Sequence, residues 1–199
     1  MGEAAEELVN IPEGLMPLPF MRDTGVDTEA LNRGKTLWAD FRYAGSKIEA
    51  QPHFLAAIGF RESRIQSILG DGGRGHGIMQ LDTGSFKGLF LPGMPAYYWK
   101  DPAFNILGGA YCWQGKYDYL ATETDLAGPL LYWFATAAYN CGEGTMHKVW
   151  EAHSEELAGL SLWDMAFWQI CDKATTGKDY ARTVFRHYQW LLKEIQEGA

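Results

Sequence analysis

Between residues 70 and 82 the chain reads GDGGRGHGIMQLD, with glycine at positions 70, 72, 73, 75 and 77. That density excludes a stable helix, because each interior glycine costs about 1 kcal/mol relative to alanine. Ile78-Met79-Gln80-Leu81 follows as a short apolar run and reads as a strand. A hairpin over this block would return its two ends to one neighbourhood.

The segments around the block carry helical signals. Asp27 or Thr28 can cap a segment holding Leu31, Leu37 and Phe41 at helical spacing. Pro52 suits the first position of a helix over 51–63, with Phe54, Leu55 and Ile58 on one face. Asp101-Pro102 opens a segment to about Leu120, and Pro129 opens an apolar one from Leu130 to Tyr139, closed by Gly142. Residues 143–153 form another candidate, and Ser161 with Asp164 resembles a capping box for a helix over 162–171. The last segment has the cleanest stripe: Tyr180, Val184, Tyr188, Leu191 and Ile195. Residues 1–25, with Pro12, Pro17 and Pro19, read as an extended arm before a single domain over 26–199. The expected class is mainly α, a helical domain with a small glycine-rich β-hairpin region.

Composition narrows the function. The net charge is −8 and no Lys/Arg block interrupts it, so a nucleic-acid footprint is absent. The longest apolar stretch, Leu130 to Tyr139, is too short to span a bilayer. The N-terminus begins acidic where a secretory leader begins basic. Three cysteines, Cys112, Cys141 and Cys171, cannot complete a disulfide framework and are expected as buried free thiols. His147 and His153 are off helix-face metal spacing and no HExxH occurs, so neither metal nor cofactor is expected. Aromatic residues make up 14% of the chain, and each ring reads either as helical core or as a sugar-stacking groove, with core the more frequent outcome.

The carboxylates carry the chemistry. Glu62 follows Ile58 by four and Phe54 by eight, on the apolar face of its helix near the C-terminal end. Desolvation and the negative end of the helix dipole both favour a protonated carboxyl there. The competing reading pairs Glu62 with Arg61, Arg64 or Arg74 in a salt bridge. Asp71 and Asp82 bracket the glycine block, and a hairpin would bring both towards one cleft. An acid with raised pKa facing ionised carboxylates is what glycoside hydrolysis requires. Each aspartate also reads as a turn residue bonded to its own backbone.

Four blocks carry a family resemblance: FRES (Phe60–Ser63), GDGGRGHGIMQLD (Gly70–Asp82), AYNCGEG (Ala138–Gly144) and DYARTV (Asp179–Val184). Their order resembles that of goose-type lysozymes and the related lytic transglycosylases, over about residues 50–190. The resemblance implies a lysozyme-like helical domain that cleaves the β-1,4 bond between N-acetylmuramic acid and N-acetylglucosamine. It makes Glu62 the general acid and gives Asp71 and Asp82 the positioning of water. Gln80, Tyr139 and Asn140 would line the sugar groove, and Tyr180 would stand near the glutamate. His76, between the aspartates, is a candidate substrate contact. Leu81-Asp82 after Met-Gln resembles the hydrolytic branch with inversion, whereas lytic transglycosylases on this scaffold form 1,6-anhydromuramyl ends. A wall-binding module without turnover is a third reading, disfavoured by the retention of all three carboxylates.

Departures from the animal enzymes point to a bacterial or phage-type member. The Glu62–Asp71 stretch is shorter, Cys141 replaces a small residue, and Arg74 and His76 are unusual in the glycine loop. The expected partners are peptidoglycan glycan strands and a proteinaceous lysozyme inhibitor or immunity protein, with the chain itself a monomer. Action is expected on the cell wall, periplasmic or extracellular, by phage-type release or specialised secretion.

Overall fold

The computed structural model describes residues 27–82 and 98–195; the expected N-terminal arm lies outside them. The described residues contain eight α-helices, several short 3-10 turns and a three-stranded antiparallel sheet, which is the mainly α class expected. Asp27 caps α1 (Thr28–Thr36), its Oδ1 accepting from Ala30 N at 3.0 Å. The single segment expected here divides at Leu37, after which α2 (Trp38–Ile48) buries Phe41 and Ala44.

α3 (Pro52–Ser63) forms the centre of the molecule. Its sequence is apolar on every side, and every residue from Pro52 to Phe60 is buried, as a helix without a polar face must be. α8 (Tyr180–Glu194) packs along it and buries Tyr180, Val184, Tyr188 and Leu191, with Ile195 following. α4 (Pro102–Glu123) packs on α2 and on α5 (Gly128–Cys141). α6 (Glu143–Leu157) follows α5 after Gly142, whose φ of 87° allows the sharp reversal.

α7 (Met165–Cys171) is shorter than expected. Asp164 rather than Ser161 stands at its N-cap, and the Asp164 carboxylate accepts from Ser161 N at 3.0 Å. Leu162 is held outside the helix because its carbonyl accepts from Trp168 Nε1 at 2.7 Å.

Most of the large rings serve the core. Phe54 meets Trp113 at 5.0 Å and Phe185 at 5.9 Å between centroids, and Trp133 meets Phe185 at 5.3 Å.

The sheet is small and held by side chains from outside it. β1 (Leu69–Gly70), β2 (Gly75–His76) and β3 (Leu81–Asp82) pair so that Gly70 faces Gly75, which faces Asp82. The strand expected over 78–81 is displaced: residues 77–80 form a turn and only Leu81 keeps strand geometry. The cause is tertiary. Ile78 and Met79 are both buried, whereas a strand covered on one face would turn one of them outward. Their backbone groups bond to side chains instead: Ser63 Oγ donates to Ile78 O at 2.8 Å, and Met79 N donates to Asn105 Oδ1 at 2.8 Å. Asn105 Nδ2 also donates to His76 O at 2.9 Å, so one buried amide ties α4 to two points of the hairpin.

Candidate active site

A cleft of about 580 Å³ opens between the hairpin and the helices, lined by Glu62, Asp71 and Asp82 together. The antiparallel register explains the convergence. Asp71 directly follows β1 and Asp82 ends β3, so both lie at the same end of the sheet, beside the last turn of α3. Gln80, Tyr139, Asn140 and Tyr180 line the same cleft. His76 is not among the lining residues. Its ring packs edge-on against Trp99 at 5.3 Å, and its Nδ1 donates to Arg74 O at 2.7 Å.

Glu62 sits on the cleft floor, half-buried. None of the three neighbouring arginines pairs with it: Arg61 meets Asp179 at 3.3 Å, Arg64 meets Asp27 at 3.5 Å, and Arg74 meets Asp71 at 3.1 Å. Its hydrogen bond comes from the Tyr180 hydroxyl, donated to Oε1. Burial pushes the carboxyl up to about 7, against the opposing pull of the Tyr180 bond and the Arg61 charge. The helix position thus yields a group able to hold a proton near neutrality. Burial also drives the Tyr139 and Tyr180 phenols well above their ordinary range, so both stay protonated as donors.

The two aspartates differ in setting. Asp71 is three-quarters exposed at the lip, whereas the Asp82 side chain is 33% exposed. The Arg74 guanidinium stands between them, 3.1 Å from Asp71 Oδ2 and 3.9 Å from Asp82 Oδ2. The glycines after Asp71 turn the chain back towards β2 through positive φ.

Other side chains fix the walls. Tyr139 donates its hydroxyl to Met79 O at 2.8 Å, joining α5 to the turn of the hairpin. Asn140 Oδ1 accepts from Thr176 N at 2.7 Å, which orients its amide. Gln80, at φ 48°, donates Nε2 to Gly77 O at 2.7 Å, and its side-chain oxygen lies where a Cβ at Gly70 or Gly75 would stand. A side chain at either glycine would have to displace the Gln80 amide.

Arg61 and Lys116 also line the cleft, and sequence reasoning did not place them there. Lys116, on α4, pairs closely with Glu143 at the start of α6; its position on the α4 surface facing α6 leaves no local sequence signature. Cys141 is half-buried on the cleft wall, not enclosed as expected, because it ends α5 at the edge of the opening. None of the eight tryptophans lines this cleft; Trp113, Trp133 and Trp150 are buried in the core and Trp38, Trp163, Trp168 and Trp190 pack against it, whereas Trp99 meets His76 of the hairpin. Among the described residues no group of three His, Cys, Asp or Glu side chains could hold a metal, and no helix is long and apolar enough to cross a membrane.

Residues 40–159 match the family model described as a transglycosylase SLT domain. The chain belongs to this family. The matched stretch contains Glu62, both aspartates, Gln80, Tyr139 and Asn140; Tyr180 follows it. Membership in the transglycosylase SLT family indicates an activity on peptidoglycan of the lytic transglycosylase or lysozyme kind, directed at the cell wall. No curated protein matches the chain.

Proposed function

We propose that this SLT-family chain is a muramidase, hydrolysing the β-1,4 bond from N-acetylmuramic acid to N-acetylglucosamine with inversion. The observation that carries this reading is the sharing of one cleft by Glu62, Asp71 and Asp82. Glu62, protonated near neutral pH, donates its proton to the glycosidic oxygen as the bond to the anomeric carbon breaks. A water held by Asp82 attacks that carbon from the opposite face and gives its proton to the carboxylate. Asp71, at the lip, assists in orienting the water. Tyr180 steadies Glu62, and the Asn140 amide, its oxygen already engaged, offers Nδ2 to a sugar.

The second reading is lytic transglycosylation, favoured by the description of the family itself. There Glu62 would first donate and then withdraw a proton, and the muramyl 6-hydroxyl would replace water. Mass spectrometry of digested peptidoglycan separates the two. Hydrolysis gives reducing muramic ends; products lighter by one water, with 1,6-anhydro ends, would establish the second reading instead.

A further inference from the structure

Arg61 precedes Glu62 on the last turn of α3 and lines the same cleft. Its Nη2 donates to Asp179 Oδ1 at 3.3 Å, and its guanidinium carbon lies 5.3 Å from the centroid of the Tyr180 ring. The other Asp179 oxygen accepts from Thr183 Oγ1 at 3.2 Å, which fixes the carboxylate at the entry to α8. Gly177 seats against the pair: a Cβ there would stand 3.1 Å from Asp179 Oδ1 and 3.4 Å from Arg61 Nη2. Arg61 Nε is buried without a hydrogen-bond partner among the described residues. A buried orphan donor is unfavourable, so the guanidinium is held here by something other than its own hydrogen-bonding optimum.

We propose that Arg61 is a positioning residue of the site: paired with Asp179 and laid over the Tyr180 ring, it keeps the phenol hydroxyl on Glu62. The inference rests on Glu62 being the acid. Tyr180 is the first residue of α8, so its ring direction depends on how the helix entry is anchored, and Arg61–Asp179 is that anchor. The pair is partly desolvated, with side chains 29% and 39% exposed. Its value is geometric, because ion pairs of this exposure add little stability.

The ionisable groups around Glu62 come from every neighbouring element. α3 supplies Arg61, α8 Tyr180, α5 Tyr139 and α4 Cys112 with Lys116, while the hairpin presents Asp71, Arg74 and Asp82 across the cleft. Lys116 is engaged by Glu143 and Arg74 by Asp71. Arg61, though paired with Asp179, is the cation whose charge pulls on Glu62 and whose guanidinium lies over the Tyr180 ring.

The test follows the Glu62 carboxyl by ¹³C NMR titration, together with turnover of purified peptidoglycan, in Arg61→Gln, Arg61→Lys, Tyr180→Phe and the Arg61→Gln/Tyr180→Phe double variant. Losing the cation favours the neutral acid, so Arg61→Gln is expected to raise the Glu62 midpoint by roughly half to one pH unit. Misplacing the phenol is expected to lower kcat about 10–100-fold with KM little changed. Arg61→Lys restores the midpoint but only part of kcat, because an ammonium lacks the planar fork that meets both Asp179 and the ring. In the Tyr180→Phe background, Arg61→Gln should cost less than about threefold further, since both act through one contact. Losses that multiply, or an unmoved midpoint in a folded variant, overturn the proposal. Should Arg61→Gln fail to fold by circular dichroism, Arg61→Lys combined with Tyr180→Phe carries the same comparison. Full turnover in Glu62→Gln would instead overturn the acid assignment, while the titration would still report on Arg61.

Discussion

The Tyr180 hydroxyl donates to Glu62 Oε1, joining two residues 118 positions apart in sequence. The bond links the end of the central helix to the start of the last one, and those helices pack along each other. The acid of the proposed reaction is thus oriented by the main helical contact of the fold.

Glu62→Gln is expected to lower the rate of wall lysis by about 10²–10⁴-fold, since a positioned proton donor is lost. Glycan binding, followed by calorimetry, should be largely kept. In the parent protein, kcat/KM should fall as pH rises through about 7, where burial has placed the Glu62 proton. A turbidity assay across pH checks both, and a flat alkaline profile would remove Glu62 from the acid role.

The same carboxyl makes stability depend on pH. Its folded pKa, about 7, lies above its ordinary value of 4.5, so the folded state holds the proton more tightly than the unfolded chain. That contribution is fully present below about pH 4.5 and is lost as pH rises through 7. Glu62→Gln should therefore melt higher than the parent near pH 7.5 and show little difference near pH 4. The gap corresponds to about 1–3 kcal/mol once the open side of the cleft is allowed for. Asp172, fully buried 3.9 Å from Arg182 and also pushed up to about 7 by burial, should add a slope of the same sign. Calorimetric melting temperatures at the two pH values decide it.

Asp82→Asn should cost more turnover than Asp71→Asn, because Asp82 is the more enclosed of the two carboxylates. About 10²-fold for Asp82 is the scale of a lost general base. Quantified release of soluble muropeptides measures the ratio; equal losses would indicate that the two share the water.

Asn105→Ala should destabilise the protein by about 2–4 kcal/mol, because it strands the buried Met79 N–H and the His76 carbonyl. Urea unfolding measures the loss, and retention of full stability would show that the hairpin is held by other means.

Much of this was legible in the sequence, for definite reasons. Pro52 and Asp101 announced their helices through rigid local chemistry, and the stripe from Tyr180 to Ile195 gave α8 its register. Glu62 stood out as a carboxylate on an apolar face. What escaped depends on contacts distant in the chain. The turn at 77–80 takes its shape from Asn105 and Ser63, and no property of Ile78-Met79 foretells those partners. His76, placed between two aspartates in sequence, turns instead towards Trp99. The choice between Arg61, Arg64 and Arg74 as partners of Glu62 was equally closed to spacing, since each finds an anion elsewhere.

Glu62 and Tyr180 sit on long helices, while Asp71 directly follows and Asp82 ends a strand two residues long, in a hairpin that leans on Asn105 and Gln80. In the proposed reaction, protonating the leaving group and choosing what replaces it are thus vested in separate parts of the chain. Such a division lets mutation revise the second decision without disturbing the first, so hydrolysis and intramolecular ring closure become neighbouring outcomes on one inherited scaffold.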